Sequence, residues 1–120
     1  MNKVAISLCT GLEDPEKVTV AFLVAVGAVE QGREVRMFLT KEAVRLALAG
    51  HAQAIACEGC PPLAGLLERY AAAGGTFLVC PICLDARHID RSSFLPNAEA
   101  GGTVQLWAWI GEDPAVTFSY

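Results

Sequence analysis

Short, mostly apolar runs of strand length recur along this chain, each followed by turn residues and then by a stretch with helical character. The runs are Val4–Cys9 (VAISLC), Glu34–Leu39 (EVRMFL), Thr76–Val79 (TFLV) and Ala115–Ser119 (AVTFS). The first is continuous rather than alternating in its hydrophobicity, which is the mark of a strand covered on both faces. Strands and helices that alternate in this way imply an α/β domain built on a parallel sheet, with its ligands held at the carboxyl ends of the strands.

The helical segments are delimited by recognisable end signals. Asp14 is a candidate N-cap with Pro15 at the first helical position and Glu16 in the first turn, and the helix is expected to run to about Gln31, with Gly32 beyond its end. It is apolar nearly all round, so burial by the sheet on one side and by a neighbour on another is expected. Thr40 is placed to cap a short helix over Lys41–Leu48 that Gly50 ends. Gln53–Cys57 reads either as a short strand or as an apolar loop. Pro61-Pro62 opens a helix over Leu63–Ala73 with Leu63, Leu66, Leu67 and Tyr70 on one face, and Gly74-Gly75 closes it.

A helix is expected to carry Cys83 and to end near Arg87 or His88. A loop over Asp90–Pro96 follows, with a further turn capped by Asp90 or Ser92 and room for a short strand within Ala98–Thr103. A short helix over Leu106–Ile110 precedes the break at Gly111–Pro114, and the last strand is expected at an edge. Trp107 and Trp109 are two apart, so they face different ways; one is expected in the core and the other at an interface or pocket wall.

Five cysteines in 120 residues carry the chemistry. Cys80 ends the Thr76–Val79 strand, Pro81 follows, and Cys83 falls in the first turn of the next helix. A helix N-terminus stabilises a thiolate through its free N–H groups and positive dipole end. Either sulfur of this Cys-x-x-Cys is therefore a candidate low-pKa nucleophile, against the alternative of two buried small hydrophobes. Cys57 and Cys60 form a second such pair, separated from the first by nineteen residues. That spacing also fits a four-cysteine zinc or iron–sulfur site made of Cys57, Cys60, Cys80 and Cys83, although a helix and a strand separate the pairs.

Cys9 ends the first strand and reads either as packing or as a pocket thiol. Arg87 is a candidate cation for tuning a thiol pKa, whereas His88 reads equally as a solvated helix end and His51 as surface. The topology rule puts all five sulfurs on one rim, at the carboxyl edge of the sheet.

Composition narrows the setting. Hydrophobic residues make up 53% and charged residues 18%, and the mean hydropathy is +0.41. This excess of apolar surface in a 120-residue single domain (1–120) points to burial against other copies of the chain. The net charge of −4 and the absence of a Lys/Arg stripe argue against nucleic-acid binding. The longest apolar stretch, Val18–Val29, is too short to span a bilayer, and it follows the acidic loop Glu13–Glu16 rather than a basic region. No membrane association and a cytosolic setting are expected, where cysteines are more often catalytic, redox-active or metal-binding than structural. No G-x-G-x-x-G follows the first strand, so no nucleotide is expected.

The opening strand VAISLC, the apolar helix after Asp14-Pro15, the strand EVRMFLT, the strand ending at Cys80 with Ala86-Arg87 on the next helix, and the closing LWAWIGEDPAVTFSY together resemble the DsrE/DsrF/DsrH-like family of small sulfur-relay proteins over nearly the whole chain. The resemblance implies a three-layer α/β/α sandwich with a mainly parallel five-stranded sheet, and assembly into trimers or hexamers. It also implies a sulfur-accepting cysteine, matched here by Cys80, that carries a persulfide from a donor protein to an acceptor. Cys83 and the Cys57/Cys60 pair depart from the relay subunits, so the chain is closer to stand-alone members that carry a Cys-x-x-Cys. With Cys80 as nucleophile and Cys83 as resolving partner, Cys57 and Cys60 are expected as auxiliary thiols and no cofactor is expected, zinc being the alternative. The Cys-Pro-x-Cys string is also similar to that of thioredoxin-like oxidoreductases, but only in local chemistry.

Overall fold

The computed structural model describes residues 2–120. Five strands, β1 (Lys3–Leu8), β2 (Glu34–Leu39), β3 (Thr76–Val79), β4 (Ala98–Ala100) and β5 (Ala115–Ser119), form one sheet in the order β4-β3-β2-β1-β5. Every pairing is parallel. Four α-helices connect them: α1 (Pro15–Glu30), α2 (Leu63–Ala72), α3 (Pro81–Ala86) and α4 (Thr103–Ile110). The α/β class, the parallel sheet and the edge position of β5 agree with the sequence reading.

The parallel register aligns Val4 with Val35, Ile6 with Met37 and Leu8 with Leu39, and then Met37 with Phe77 and Leu39 with Val79. All of these face the main core. α1 covers them with Val18, Ala21, Phe22, Ala25, Val26 and Val29, and α2 with Leu63, Leu66 and Tyr70. Phe22, Tyr70 and Phe77 meet at this junction, with ring centroids 5.1–6.3 Å apart.

The Asp14 cap forms as its sequence suggests, Asp14 Oδ1 accepting from the Lys17 amide at 3.1 Å. The neighbour expected beside α1 is α2, and Arg69 clamps the two helices by donating twice to Glu30, at 2.7 and 3.0 Å. α1 nevertheless leaves Val20 and Leu23 exposed.

β4 lies at one edge and β5 at the other, so the connection between them crosses the whole sheet. A right-handed crossover in that direction puts α4 on the face opposite α1 and α2. There Leu106, Trp107 and Ile110 lie over Ala5, Ser7, Phe38 and Thr117. Lys3 Nζ donates to the carbonyls of Trp109 (2.6 Å) and Ile110 (3.2 Å), supplying a cation at the C-terminal end of α4.

Three local expectations change, and one open alternative is decided. The Lys41–Leu48 helix is a 3₁₀ segment over Lys41–Ala47, and Thr40 makes no side-chain cap. A 3₁₀ turn stacks positions i and i+3, which buries Ala43 with Leu46 and Val44 with Ala47. Backbone bonds tether its far end, from Ala49 N to Ser93 O and from Leu95 N to Ala47 O, each 2.8 Å. Of the two readings of Gln53–Cys57 the loop is the one that forms, led into by a 3₁₀ turn over His51–Ala54. Finally, neither tryptophan enters the core. Trp109 is half-buried beneath Lys3 and Arg36, 5.4 and 5.8 Å from its ring, and bonds Glu34 through Nε1. Trp107 is 69% exposed.

Candidate functional site

The carboxyl edge of the sheet holds Cys9 after β1 and Cys80 after β3, with Cys83 in the first turn of α3. Cys80 directly follows β3, and its amide extends the ladder by donating to Leu39 O at 3.0 Å. Cys80 is the N-cap of α3, with extended backbone angles, and Pro81 holds the first helical position. Its side chain makes no capping hydrogen bond. Pro81 has no N–H, and the amides of Ile82 and Cys83 belong to a first turn that lacks intrahelical acceptors. These amides are the free donors that the first turn of α3 offers beside the two cysteines. Because α3 is only six residues long, these local amides matter more than a long aligned macrodipole. Cys80 and Cys83 are both free thiols and both half-buried.

Arg87, at the end of α3, is fixed from two sides. Its Nη1 donates to the Cys83 carbonyl at 3.2 Å and its Nε pairs with Glu42. Glu42 sits in the 3₁₀ segment after β2 and also binds Arg45 at 2.9 Å. Its hydrogen bond to Arg87, then that to Arg45, lower its pKa below the ordinary glutamate value. Arg87 thus brings a guanidinium beside the Cys83 turn with its charge shared with Glu42. Arg45 stands three residues beyond Glu42 in the same 3₁₀ segment, whereas Arg87 comes from another element and nothing local in the sequence pairs it with Glu42. Gly11 explains how the loops approach so closely: a Cβ there would lie 2.7 Å from the Glu42 carbonyl oxygen.

A lowered carboxylate pKa contributes stability that is present above the unfolded-state value and lost as pH falls through the folded one. For Glu42 the loss is expected on acidification below about 4.5. The carboxylate is 40% exposed, so solvent screening limits the effect to below about 1 kcal/mol. Denaturant titrations of wild type and Glu42→Gln at pH 7 and pH 3.5 are the check. The gap between them should close at the lower pH; an equal gap at both would show that the carboxylate charge does not matter.

Cys9 follows β1, and its thiol donates to Tyr120 O at 3.4 Å. Cys57 and Cys60 precede α2 and are joined as a disulfide. Cys57 Sγ also lies 3.8 Å from the Thr19 hydroxyl of α1. Thr19, which lies within the apolar stretch Val18–Val29, is buried and donates back to Pro15 O at 2.8 Å. The second pair therefore sits against the first turns of α1 and α2. Among the described residues, no group of three or more His, Cys, Asp or Glu is arranged to hold a metal ion.

A parallel α/β sheet with free and paired cysteines along its carboxyl edge defines a small thiol-bearing α/β protein. The chain belongs to the DsrE/DsrF-like family, whose model matches residues 2–118. It is similar in structure to the ychN protein of E. coli, with a TM-score of 0.79 and 22% identity over 100% of both chains. A protein of unknown function from Methanobacterium thermoautotrophicum superposes with a TM-score of 0.69 and 12% identity, again over 100% of both chains. One from Bacteroides thetaiotaomicron gives 0.65 and 14%, covering 99% of this chain and 95% of its own. No curated protein matches the sequence. Among the described residues no helix is long and apolar enough to cross a membrane.

Proposed function

We propose that the protein handles sulfur in the cytosol, with Cys80 as persulfide carrier and Cys83 as its resolving partner. The observation that supports this most is the pair of free, half-buried thiols in the first turn of α3, at the carboxyl end of β3. The Cys80 thiolate attacks the outer sulfur of a donor persulfide, R–S–SH. A Cys80 Sγ–S bond forms, the donor S–S bond breaks, and R–S⁻ leaves. The carried sulfur then goes to the thiolate of an acceptor. Alternatively the Cys83 thiolate attacks Cys80 Sγ, which forms the Cys80–Cys83 disulfide and expels hydrosulfide.

Metal content and free thiols are measured on protein purified anaerobically, and intact mass is measured after exposure to a sulfur donor. In a Cys83→Ser background, where the carried sulfur is retained, a gain of one sulfur is expected that survives Cys9→Ser and disappears with Cys80→Ser. Stoichiometric zinc or iron with four protected thiols would instead favour a metal site of Cys57, Cys60, Cys80 and Cys83. Absence of metal, of bound sulfur and of released hydrosulfide would leave a non-catalytic oligomeric binding module.

The protein acts as a homo-oligomer, a trimer or hexamer in this reading. α4 buries none of its residues within the chain, and Val104 and Trp107 are 75% and 69% exposed. Exposed apolar side chains at this density favour partners. Native mass spectrometry should show species larger than 12.7 kDa, and Trp107→Glu should shift them toward the monomer. A monomeric wild type would reject this part of the reading.

A further inference from the structure

The Cys57–Cys60 disulfide forms one wall of an open cavity of about 310 Å³ between the loop after the second 3₁₀ turn and the start of α2. The rest of the lining is mainly apolar: Ala52, Ile55, Ala56, Pro61, Pro62 and Leu63 contribute, with Gln53 the amide among them.

The pair is built to open and close. Cys57–Cys60 is a hydrogen-bonded turn, the Cys60 amide donating to Cys57 O at 3.1 Å. Gly59 at its third position has φ +79°, the left-handed conformation that a type II turn requires there and glycine adopts freely. The backbone thus holds the two sulfurs together whether or not the bond is made. A bond that closes a loop this short removes little unfolded-chain entropy, and the core around it is already extensive, so the disulfide is poorly suited to be a staple of the fold.

We propose that this cavity is a second thiol site, at which a small thiol with an apolar body reduces the Cys57–Cys60 disulfide. It is independent of the persulfide reading of Cys80. Thr19 covers one side of Cys57, so the incoming thiolate R–S⁻ attacks Cys60 Sγ. The S–S bond breaks, and Cys57 leaves as a thiolate beside the Thr19 hydroxyl. A second R–S⁻ attacks the sulfur of R in the mixed disulfide and releases R–S–S–R and the Cys60 thiolate. Two R–SH are oxidised, the disulfide accepts two electrons, and the two protons end on Cys57 and Cys60.

The test uses the oxidised 120-residue chain with benzyl mercaptan and, as a polar comparison, glutathione. Reduction of Cys57–Cys60 is followed by alkylation and peptide mapping, and each rate is divided by that for a free model disulfide to remove intrinsic thiol reactivity. The normalised rate for benzyl mercaptan should exceed that for glutathione by about tenfold, on the order expected for burying an aromatic body. Ala56→Phe, which fills the cavity at an exposed position, should abolish the preference. Thr19→Val should slow reduction by both thiols alike. Equal normalised rates in the wild type would overturn the proposal, as would a preference that survives Ala56→Phe, since the disulfide would then be reactive without the cavity selecting anything.

Discussion

Gly75→Ala should lower the thermal midpoint by roughly 10 °C, through a destabilisation of about 3 kcal/mol. The cause is space, not backbone angle. A Cβ on Gly75 would lie 2.3–2.4 Å from three ring atoms of Tyr70, well inside van der Waals contact. Neither side can retreat. The Gly75 amide donates to Tyr70 O at 2.8 Å, and the Gly75 carbonyl accepts from Asn97 Nδ2 at 2.9 Å. The Tyr70 ring is fully buried against Phe22 and Phe77, and its hydroxyl donates to Thr76 O at 2.7 Å. Burial, the largest influence on that hydroxyl, pushes its pKa up.

The clash therefore has to be relieved by moving the ring out of its hydrogen bond or by shifting the start of β3, and both loosen the element that ends at Cys80. A double-mutant cycle makes the cause testable. Tyr70→Leu removes the ring and is costly alone, but in the double variant the two losses should fall well short of additive. Strict additivity, or an unchanged midpoint for Gly75→Ala, would mean the ring yields freely.

Much of this architecture was legible because it depends on local or strictly periodic signals. β2 and β3 have the bounds their apolar runs suggest, and α1 starts at the Asp14-Pro15 cap. The turn after Asp90 forms with Asp90 Oδ1 accepting from Ser92 N at 2.9 Å. The placing of Cys9 and Cys80 directly after β1 and β3 was legible for a different reason: once strands and helices alternate, parallel topology fixes which strand ends lie at one edge.

What escaped the sequence is set by contacts between distant elements. Tethering to Ser93 and Leu95 draws the Lys41–Ala47 segment into a 3₁₀ turn. Trp109 is held by Lys3, Arg36 and Glu34, three charged residues that no hydrophobic pattern would place around an indole. Glu42 gains its place from the packing of its 3₁₀ segment against the end of α3, and Thr19 from the packing of α1 against the loop before α2. The tight turn that closes Cys57 onto Cys60 was written in Gly59, although the glycine alone did not say whether a bond, a metal or neither would join the sulfurs.

Cys83→Ser should convert a protein that releases sulfide into one that keeps its sulfur. The two thiols stand at the N-cap and third helical positions of α3, so their side chains project from the same turn. The Leu84 amide closes that turn on Cys80 O at 3.1 Å. A persulfide on Cys80 thus forms within reach of a second thiolate, and intramolecular attack gains the effective concentration of a group held one turn away. In the wild type, one equivalent of donor sulfur should appear as hydrosulfide, with the loss of two alkylatable thiols. With serine at position 83 the hydroxyl cannot resolve the persulfide, so the mass gain of one sulfur should persist and sulfide release should fall by at least about tenfold. If the Cys83→Ser variant instead releases sulfide as fast as wild type while Cys80→Ser does not, Cys83 is not the resolving group. Another thiol of the rim would then have to reach Cys80, and Cys9→Ser would be the variant to combine with it.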